Sequence, residues 1–396
     1  GLVGSEMCIR DRVGPMEQEV SRVYDEIYRL AVDTWCYDNP IVKELALKYN
    51  SKVSDEAKRI HSDSIIIDNC SFGLENDNWH IAESGLTAVN CTVTAPTDNI
   101  EGAVRNFMLY HSVLAASKQC ILINTTEDIF KAKKEGKTGI ILGSQNCEFV
   151  LNDDIDSAVE VFSKIGLRIM QIAYNQRSFA AEGCYTGDDA GLTIDGKKLI
   201  RAMERHGVQV DLSHVGMRST LEAMEICDKP PIFSHSNPKK LFDHVRNITD
   251  EQAKKCAEKG GVIGVSAYSG ILWNKRNFPN INDFLDAIVY YSELIGTEHV
   301  GIGMDSNAQA GTYIRREQYE IVEMLKEREG KNSLYYQSVV NNRGILTMFT
   351  EGLLNIANMI CITDGLLKRG FNEKEIKQIM GMNWLRVFEQ GWSKNL

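Results

Sequence analysis

Short apolar runs rich in β-branched residues recur along the chain, and polar or glycine-containing segments separate them. Such runs predict buried strands, here at residues 64–70, 86–93, 138–143, 168–174, 208–212, 231–233, 260–267 and 300–307, with a short extra strand at 121–124. Apolar residues at three- and four-residue steps predict helices between them, at 101–117, 156–164, 195–205 and 217–227. Eight strands that alternate with helices indicate an α/β protein, a (β/α)8 TIM-like barrel.

A doubly wound open sheet is the competing arrangement for alternating strands and helices. That fold places a glycine-rich phosphate loop after an early strand, and no G-x-G-x-x-G stands there in this chain. The glycines of GIGMDSN lie inside a late strand, and no Walker-type loop occurs. The sequence therefore favours the barrel.

Three segments of different character divide the chain. Residues 1–12, GLVGSEMCIRDR, resemble a translated sequencing adaptor and are set aside. Residues 13–60 predict a helical N-terminal extension, and residues 61–396 hold the barrel with its C-terminal helices. The helical tail over 347–395 is of the kind that closes a barrel or forms an oligomer contact, which leaves a homodimer open.

Composition and charge narrow the partners and the compartment. The formal net charge of −10 argues against nucleic acid as a partner. The sequence contains no run of about 18 apolar residues, so no membrane span is predicted. Ten cysteines are scattered without a C-x-x-C pair, which is typical of reduced thiols in a cytoplasmic protein. No secretory signal is visible, although a truncated start would remove one.

The chemistry of the chain centres on residues 207–247, where two apolar runs each end in Ser-His. His214 follows the strand of VQVDLSH, and His235 follows the strand of PPIFSH. A helix between two strands implies parallel neighbours with a right-handed crossover, so both imidazoles stand at the carboxyl ends, the catalytic face of a barrel. Two such imidazoles can share one zinc ion. The alternative is that both histidines cap strand ends through hydrogen bonds.

Several motifs, in order, resemble the renal or membrane dipeptidase family, peptidase family M19. They are AGLTIDGKKLIRAMERHGVQVDLSH, PIFSHSNPKKLFDHVRNITDEQ, VGIGMD and GLLKRGFNEKEIKQIMGMNWLRVF, and the resemblance covers roughly residues 60–390. It implies a metallohydrolase barrel that cleaves dipeptides with two zinc ions. By position it also implies that His214 and His235 ligate one zinc. Arg246 would hold the substrate carboxylate, and Asp305 would receive the substrate amino group or a proton.

The chain departs from the family pattern at the residues that match the ligands of the family's other zinc ion. The family's His-x-Asp pair falls on Cys70 and Phe72, its bridging glutamate falls on Gln145, and a further histidine falls on Tyr174. Two dications close together require anionic ligands to offset their charge, and a neutral amide does not replace a bridging carboxylate. The sequence therefore predicts about one zinc ion per chain rather than two.

Cys70, His214 and His235 would offer one thiolate and two imidazoles with an open fourth position, the pattern of a catalytic zinc site. The metal itself would favour the thiolate form of Cys70. Otherwise Cys70 is a small buried apolar residue at a strand end. Gln145 and Tyr174 are candidates for hydrogen bonds to bound substrate, and packing is the alternative role for Tyr174.

Arg246 and Asp305 complete the predicted site. A guanidinium holds a carboxylate through two parallel hydrogen bonds, whereas a surface pair with Asp243 or Asp250 is the structural alternative for Arg246. A carboxylate at the end of an apolar strand is costly unless it is paired or functional. Asp305 is therefore the predicted catalytic acid–base residue.

Two function classes stay open from the sequence. The first is a metal-dependent hydrolase of dipeptides or related small amides, with Asp305 as proton carrier and Arg246 as substrate anchor. The second is a barrel that has lost two-zinc hydrolysis and acts on or binds a small zwitterionic metabolite without metal. Metal content discriminates between them.

Overall fold

The computed structural model describes residues 40–72, 79–95, 98–151, 154–274, 279–307, 350–353 and 355–392. Two compact units divide the chain: residues 1–43 with 309–348, and residues 44–308 with 349–396. Of the first unit only residues 40–43 are described, so the expectations for residues 1–12 and 13–39 lie outside the described part. The second unit contains the barrel.

Eight parallel strands of this unit close into a ring. The strands of the chain are β1 (Ile67–Phe72), β2 (Ala88–Thr92), β3 (Cys120–Ile123), β4 (Thr138–Ser144), β5 (Leu167–Gln171), β6 (Gln209–Asp211), β7 (Ile232–Phe233), β8 (Val262–Val265), β9 (Val300–Ile302) and β10 (Ser306–Asn307). The ring runs β1-β2-β4-β5-β6-β7-β8-β9, and Asp68 opposite Ile302 joins β9 back to β1. The predicted (β/α)8 barrel is confirmed.

Two short strands lie outside the closed ring. One edge of β4 pairs with two strands: residues 138–141 pair with β3, and residues 142–144 pair with β5. The presence of β3 confirms the predicted extra strand. β10 pairs with the end of β1. The strand predicted over 300–307 is therefore wrong as one element, since it breaks between Ile302 and Ser306. The break contains Asp305, whose φ of 52° does not continue a strand.

Helices connect the strands around the outside of the ring. They are α1 (Pro40–Asn50), α2 (Asp55–Asp63), α3 (Trp79–Ser84), α4 (Ile100–Ala116), α5 (Thr126–Glu135), α6 (Ile155–Lys164), α7 (Ile194–His206), α8 (Met217–Ile226), α9 (Asp250–Glu258), α10 (Ile281–Ile295), α11 (Met359–Lys368), α12 (Glu373–Lys377) and α13 (Asn383–Gly391). The Thr193 side chain caps α7 by accepting from Gly196 N–H, and Gly207 ends it with φ 70°. None of the helices in the described ranges is long and apolar enough to cross a membrane.

The last helix closes the ring at the amino ends of the strands. Trp384 of α13 is buried in one apolar cluster with Ile67 and Ile232, which lie at strand starts. Its indole N–H donates to Ile302 O at 3.1 Å. Gly301 leaves room for the ring, because a Cβ there would lie 2.5 Å from Trp384. The expected closing of the barrel by a C-terminal helix is therefore seen in α13, and the carboxyl ends are left for chemistry.

His61 links α2 to the end of α3 and to α11. Its Nε2–H donates to Ser84 O at 3.1 Å, and the Thr363 hydroxyl donates to Nδ1 at 2.8 Å. Burial lowers the pKa of His61 from 6.5 to about 4. Because the unfolded chain binds this proton more readily, the free energy of unfolding should fall by roughly 3 kcal/mol as the pH drops through this interval.

Urea unfolding near neutral pH and near pH 4.5 measures that loss. His61→Gln has no imidazole to protonate, so its free energy of unfolding should differ less between the two conditions than that of the wild type. The same pH difference in both proteins would assign the acid sensitivity to other groups.

Candidate active site

Side chains from five strand ends meet at the open end of the barrel. Cys70 lies within β1, Gln145 directly follows β4, His214 follows β6, His235 follows β7 and Asp305 follows β9. Their exposed fractions lie between 0 and 7%. Because the carboxyl ends of barrel strands carry the catalytic residues of this architecture, this buried group is the candidate active site.

The two histidines face each other through their Nε2 atoms, which are 2.9 Å apart. Nδ1 of His235 is 2.6 Å from the hydroxyl of Ser234, and that hydroxyl donates to Asp211 Oδ2 at 2.5 Å. Since Ser234 gives its proton to Asp211, it accepts a hydrogen bond from Nδ1–H of His235. The lone pair of His235 is therefore on Nε2, directed at the other imidazole.

Asn175 fixes the tautomer of His214 in the same way. Its Oδ1 lies 2.6 Å from Nδ1 of His214, so His214 also carries its proton on Nδ1 and a lone pair on Nε2. Tyr174 stacks on this ring, with ring centroids 4.3 Å apart and planes tilted by 30°. In metal sites, a hydrogen bond at the ring nitrogen that does not bind the metal orients the imidazole ligand.

Strained backbone coincides with the site. In the ranges that the structure describes, the non-glycine residues with positive φ are Asn175 (60°), His214 (69°) and Asp305 (52°). Left-handed backbone is uncommon outside glycine, although Asn, Asp and His adopt it more readily than other residues. All three direct a polar side chain to the same place, which supports a functional rather than a purely structural role for the cluster.

Cys70, His235 and Asp305 form a compact group of potential metal ligands. One ligand atom from each lies within 4.8 Å of the others. Sγ of Cys70 is 3.8 Å from Asp305 Oδ1 and accepts a hydrogen bond from Nε2 of Gln145 at 3.2 Å. The backbone N–H of Asp305 donates to Cys70 O at 2.9 Å. His214 lies beside this group and contacts its His235 member through the two Nε2 atoms, which are 2.9 Å apart.

The donor set fits one zinc ion. Two facing Nε2 lone pairs repel unless a proton or a cation lies between them, and zinc accepts imidazole, thiolate and carboxylate ligands together. Gln145 adds no negative charge to this donor set, and its amide N–H group, a donor, points at Cys70.

A further carboxyl group is buried beside the site. Oδ1 of Asp68 accepts the backbone N–H groups of Met304 at 2.7 Å and Cys70 at 3.3 Å, whereas Oδ2 has no hydrogen-bond partner in the described part of the chain. Burial raises the pKa of Asp68 to about 8, and the nearby Asp305 carboxylate adds to this shift. The raised pKa favours the neutral carboxyl form of Asp68.

Arg246 lies at the edge of the site, in the loop after β7, and is 5% exposed. Its Nη2 donates to His235 O at 2.7 Å and its Nη1 donates to the Ser236 hydroxyl at 3.0 Å. The surface pair with Asp250 is not formed, since that carboxylate interacts with Lys240 and Tyr290. Both known partners of the guanidinium are neutral, so a carboxylate from a ligand would supply its missing counter-charge.

The structure thus brings together five of the predicted residues, and it places Tyr174 and Arg246 at the edge of that group. No role was predicted from the sequence for three contributing residues: Asn175, Asp211 and Ser234. A signal existed for two of them, because Asp211 is a carboxylate at the end of an apolar strand and Ser234 belongs to the repeated Ser-His pair. Asn175, in QIAYNQ, gave no signal of its own.

Comparison with known proteins shows which family the chain belongs to. The sequence model described as "Membrane dipeptidase (Peptidase family M19)" matches residues 55–324. Dipeptidase tcpJ of Claviceps purpurea is 21% identical over 271 residues, 68% of this chain and 55% of that protein. An uncharacterized dipeptidase of Schizosaccharomyces pombe is 32% identical over 189 residues, 46% of this chain and 45% of that protein. The chain spans about half the length of these curated relatives.

Solved structures share the fold. An amidohydrolase from Pseudomonas aeruginosa superposes with a TM-score of 0.72 at 31% identity, covering 85% of this chain and 99% of that one. A metallo peptidase from Rhodobacter sphaeroides, liganded with a phosphinate mimic of the dipeptide L-Ala-D-Ala, gives a TM-score of 0.66 at 16% identity, covering 83% and 100%. At the lower identity the likeness concerns the fold alone.

Proposed function

The chain belongs to the membrane dipeptidase family, peptidase family M19, and from that premise we propose that it hydrolyses dipeptides or related small amides with one zinc ion. The observation that carries the proposal is the pair of imidazoles whose Nε2 atoms face each other at 2.9 Å. Ser234 and Asn175 accept the protons of both Nδ1 atoms. A cation held by both Nε2 lone pairs would remove their repulsion.

In this proposal His214, His235 and Cys70 would hold the zinc ion. When bound, zinc supplies Lewis acidity, which lowers the pKa of water and polarises an amide carbonyl. Gln145 donates a hydrogen bond to Cys70 Sγ and so favours the thiolate form of that side chain. Ser234 keeps His235 in the tautomer that leaves Nε2 available.

Asp305 is the proposed acid–base residue. Its carboxylate lies in the same compact group as Cys70 and His235, where it can take a proton from an attacking water and return it to the leaving amine. Arg246 binds the carboxylate at the C-terminal end of the substrate. Oε1 of Gln145, which has no hydrogen-bond partner in the described ranges, can accept an N–H group of the substrate, and Tyr174 borders the same space.

We also propose a cytoplasmic location. Among the eight cysteines in the described part of the chain none forms a disulfide, and seven of these side chains are buried. Reduced, buried thiols are typical of proteins that function in a reducing compartment.

Dipeptides with free and with amidated C termini test the proposed function. The zinc-loaded protein should hydrolyse L-Ala-L-Ala, and kcat/KM for the amidated dipeptide should be lower by about tenfold or more, because Arg246 loses its ionic partner. Arg246→Lys keeps the charge but lacks the planar fork, so KM for the free dipeptide should rise by the equivalent of roughly 1–3 kcal/mol.

The two parts of this test fail separately. If the zinc-loaded protein hydrolyses neither dipeptide, the proposed function is wrong. If it hydrolyses both equally well, the activity stands but Arg246 does not anchor a substrate carboxylate.

A further inference from the structure

A cavity of about 450 Å³ opens beside His214, between the loops that follow β5, β6 and β7. Its wall is mainly apolar, with side chains of Leu212, Val215, Leu221, Val245 and Ile248. A concave apolar space with a few polar groups is typical of a small-molecule subsite. The polar groups therefore decide which ligand this one fits.

Two of the charged residues that line the cavity already have protein partners. Asp189 accepts hydrogen bonds from the backbone N–H of Arg218 at 2.6 Å and from the Ser219 hydroxyl at 2.7 Å, at the start of α8. The guanidinium of Arg218 pairs with Glu222 at 2.8 Å. The charge of Arg218 is therefore paired, whereas the donors to Asp189 are neutral and leave one negative charge in the cavity wall.

The other two charged residues are both cations without a carboxylate. Arg246 donates only to neutral oxygens, as described above. Lys239 is half-buried, and its ammonium has no ion-pair or hydrogen-bond partner in the part of the chain that the structure describes. The Thr186 hydroxyl, which also lines the cavity, has no hydrogen-bond partner in the described ranges either.

Lys239 and Arg246 belong to one local unit. The backbone N–H of Lys239 donates to Ile248 O at 2.9 Å, so the two stretches of this loop run side by side. The chain as a whole carries a net charge of −10, and the excess of positive charge at the cavity is therefore local. Two cations and a hydroxyl donor around an apolar space match a ligand with two carboxylates.

We propose that this cavity binds a second carboxylate of the substrate, so that the preferred substrates are dipeptides with aspartate or glutamate at the C-terminal position. The inference rests on the proposed function, in which Arg246 binds the C-terminal carboxylate. Lys239 pairs with the side-chain carboxylate of the same residue, and Thr186 donates a further hydrogen bond to it. The apolar wall accommodates the methylene groups between the two carboxylates.

The ratio of kcat/KM for Ala-Glu to that for Ala-Gln tests the preference, because the two dipeptides have nearly the same shape and differ in charge. We expect a ratio of roughly five or more in the wild type and a ratio near one in Lys239→Met. Lys240→Met is the matched control, since Lys240 is 69% exposed, pairs with Asp250 and lies outside the cavity lining. The control should keep the wild-type ratio. A ratio near one in the wild type, or the same ratio in Lys239→Met, would overturn the proposal.

Cys184 provides a second readout that does not depend on turnover. It lines the cavity, and it is the one cysteine of the described ranges that is not buried. A non-cleavable reduced-amide analogue of Ala-Glu should protect Cys184 from modification by maleimide at lower concentrations than the same analogue of Ala-Gln. Mass spectrometry locates and quantifies the modified cysteine. Lys239→Met should abolish that difference. Selective protection without hydrolysis would keep the subsite and reject the proposed function, whereas hydrolysis without selective protection would reject the subsite alone.

Discussion

Replacing His235 by alanine should remove bound zinc and dipeptide hydrolysis together. His235 supplies one of the two facing Nε2 atoms and also belongs to the compact group with Cys70 and Asp305, so its loss breaks both parts of the donor set. The stabilisation that the metal gives to the transition state amounts to several kcal/mol, and kcat/KM should fall by about a thousandfold or more. Elemental analysis beside dipeptide turnover measures both effects.

The fold should survive this substitution, because the side chain ends a strand and does not fill the apolar core. His299→Ala is the matched control: His299 precedes β9 at the opposite end of the barrel, where its Nδ1–H donates to Gly261 O at 2.8 Å. That variant should keep zinc and turnover. Unchanged hydrolysis in His235→Ala, with far-UV circular dichroism like the wild type, would reject metal-assisted hydrolysis and favour the metal-free alternative.

Asp305→Asn should lower kcat by roughly a hundredfold or more while zinc stays bound. Asparagine tolerates the left-handed backbone that Asp305 adopts at φ 52°, and its N–H still reaches Cys70 O. The substitution therefore changes the acid–base chemistry with little change in shape. KM should change much less than kcat, because the group acts on the reacting proton and not on substrate binding.

The outcome for zinc decides which role Asp305 has. If the ion leaves together with activity, the carboxylate is a metal ligand, as its place beside Cys70 and His235 also allows. If kcat is unchanged, another group carries the proton. A fall in kcat with full zinc content would support the proposed role.

The barrel and the placing of the histidines follow from local sequence patterns. Apolar runs of strand length predicted the ring of strands, and the helical steps between them predicted parallel neighbours. In a parallel sheet any residue that directly follows a strand lies at the carboxyl edge, so His214 and His235 had to meet at one end. This part of the site depends on the order of elements and needs no knowledge of exact register.

The remaining contacts depend on register and on unusual backbone, which sequence patterns do not reveal. Ser213 accepts the backbone N–H of His235 at 3.0 Å, and Ser234 bridges Asp211 to the His235 ring. Both contacts require β6 and β7 to be aligned to within one residue. Asn175 reaches His214 from a backbone that is left-handed at φ 60°.

A zinc titration of the metal-free protein, with dipeptide turnover measured at each addition, tests the central claim most directly. Under the proposed function, turnover should rise with added zinc and reach its plateau at about one ion per chain, since the neutral amide of Gln145, which donates to Cys70 Sγ, offers no negative charge to a second ion. A plateau at two ions per chain, or full turnover in the presence of a strong chelator, would contradict a single-zinc dipeptidase.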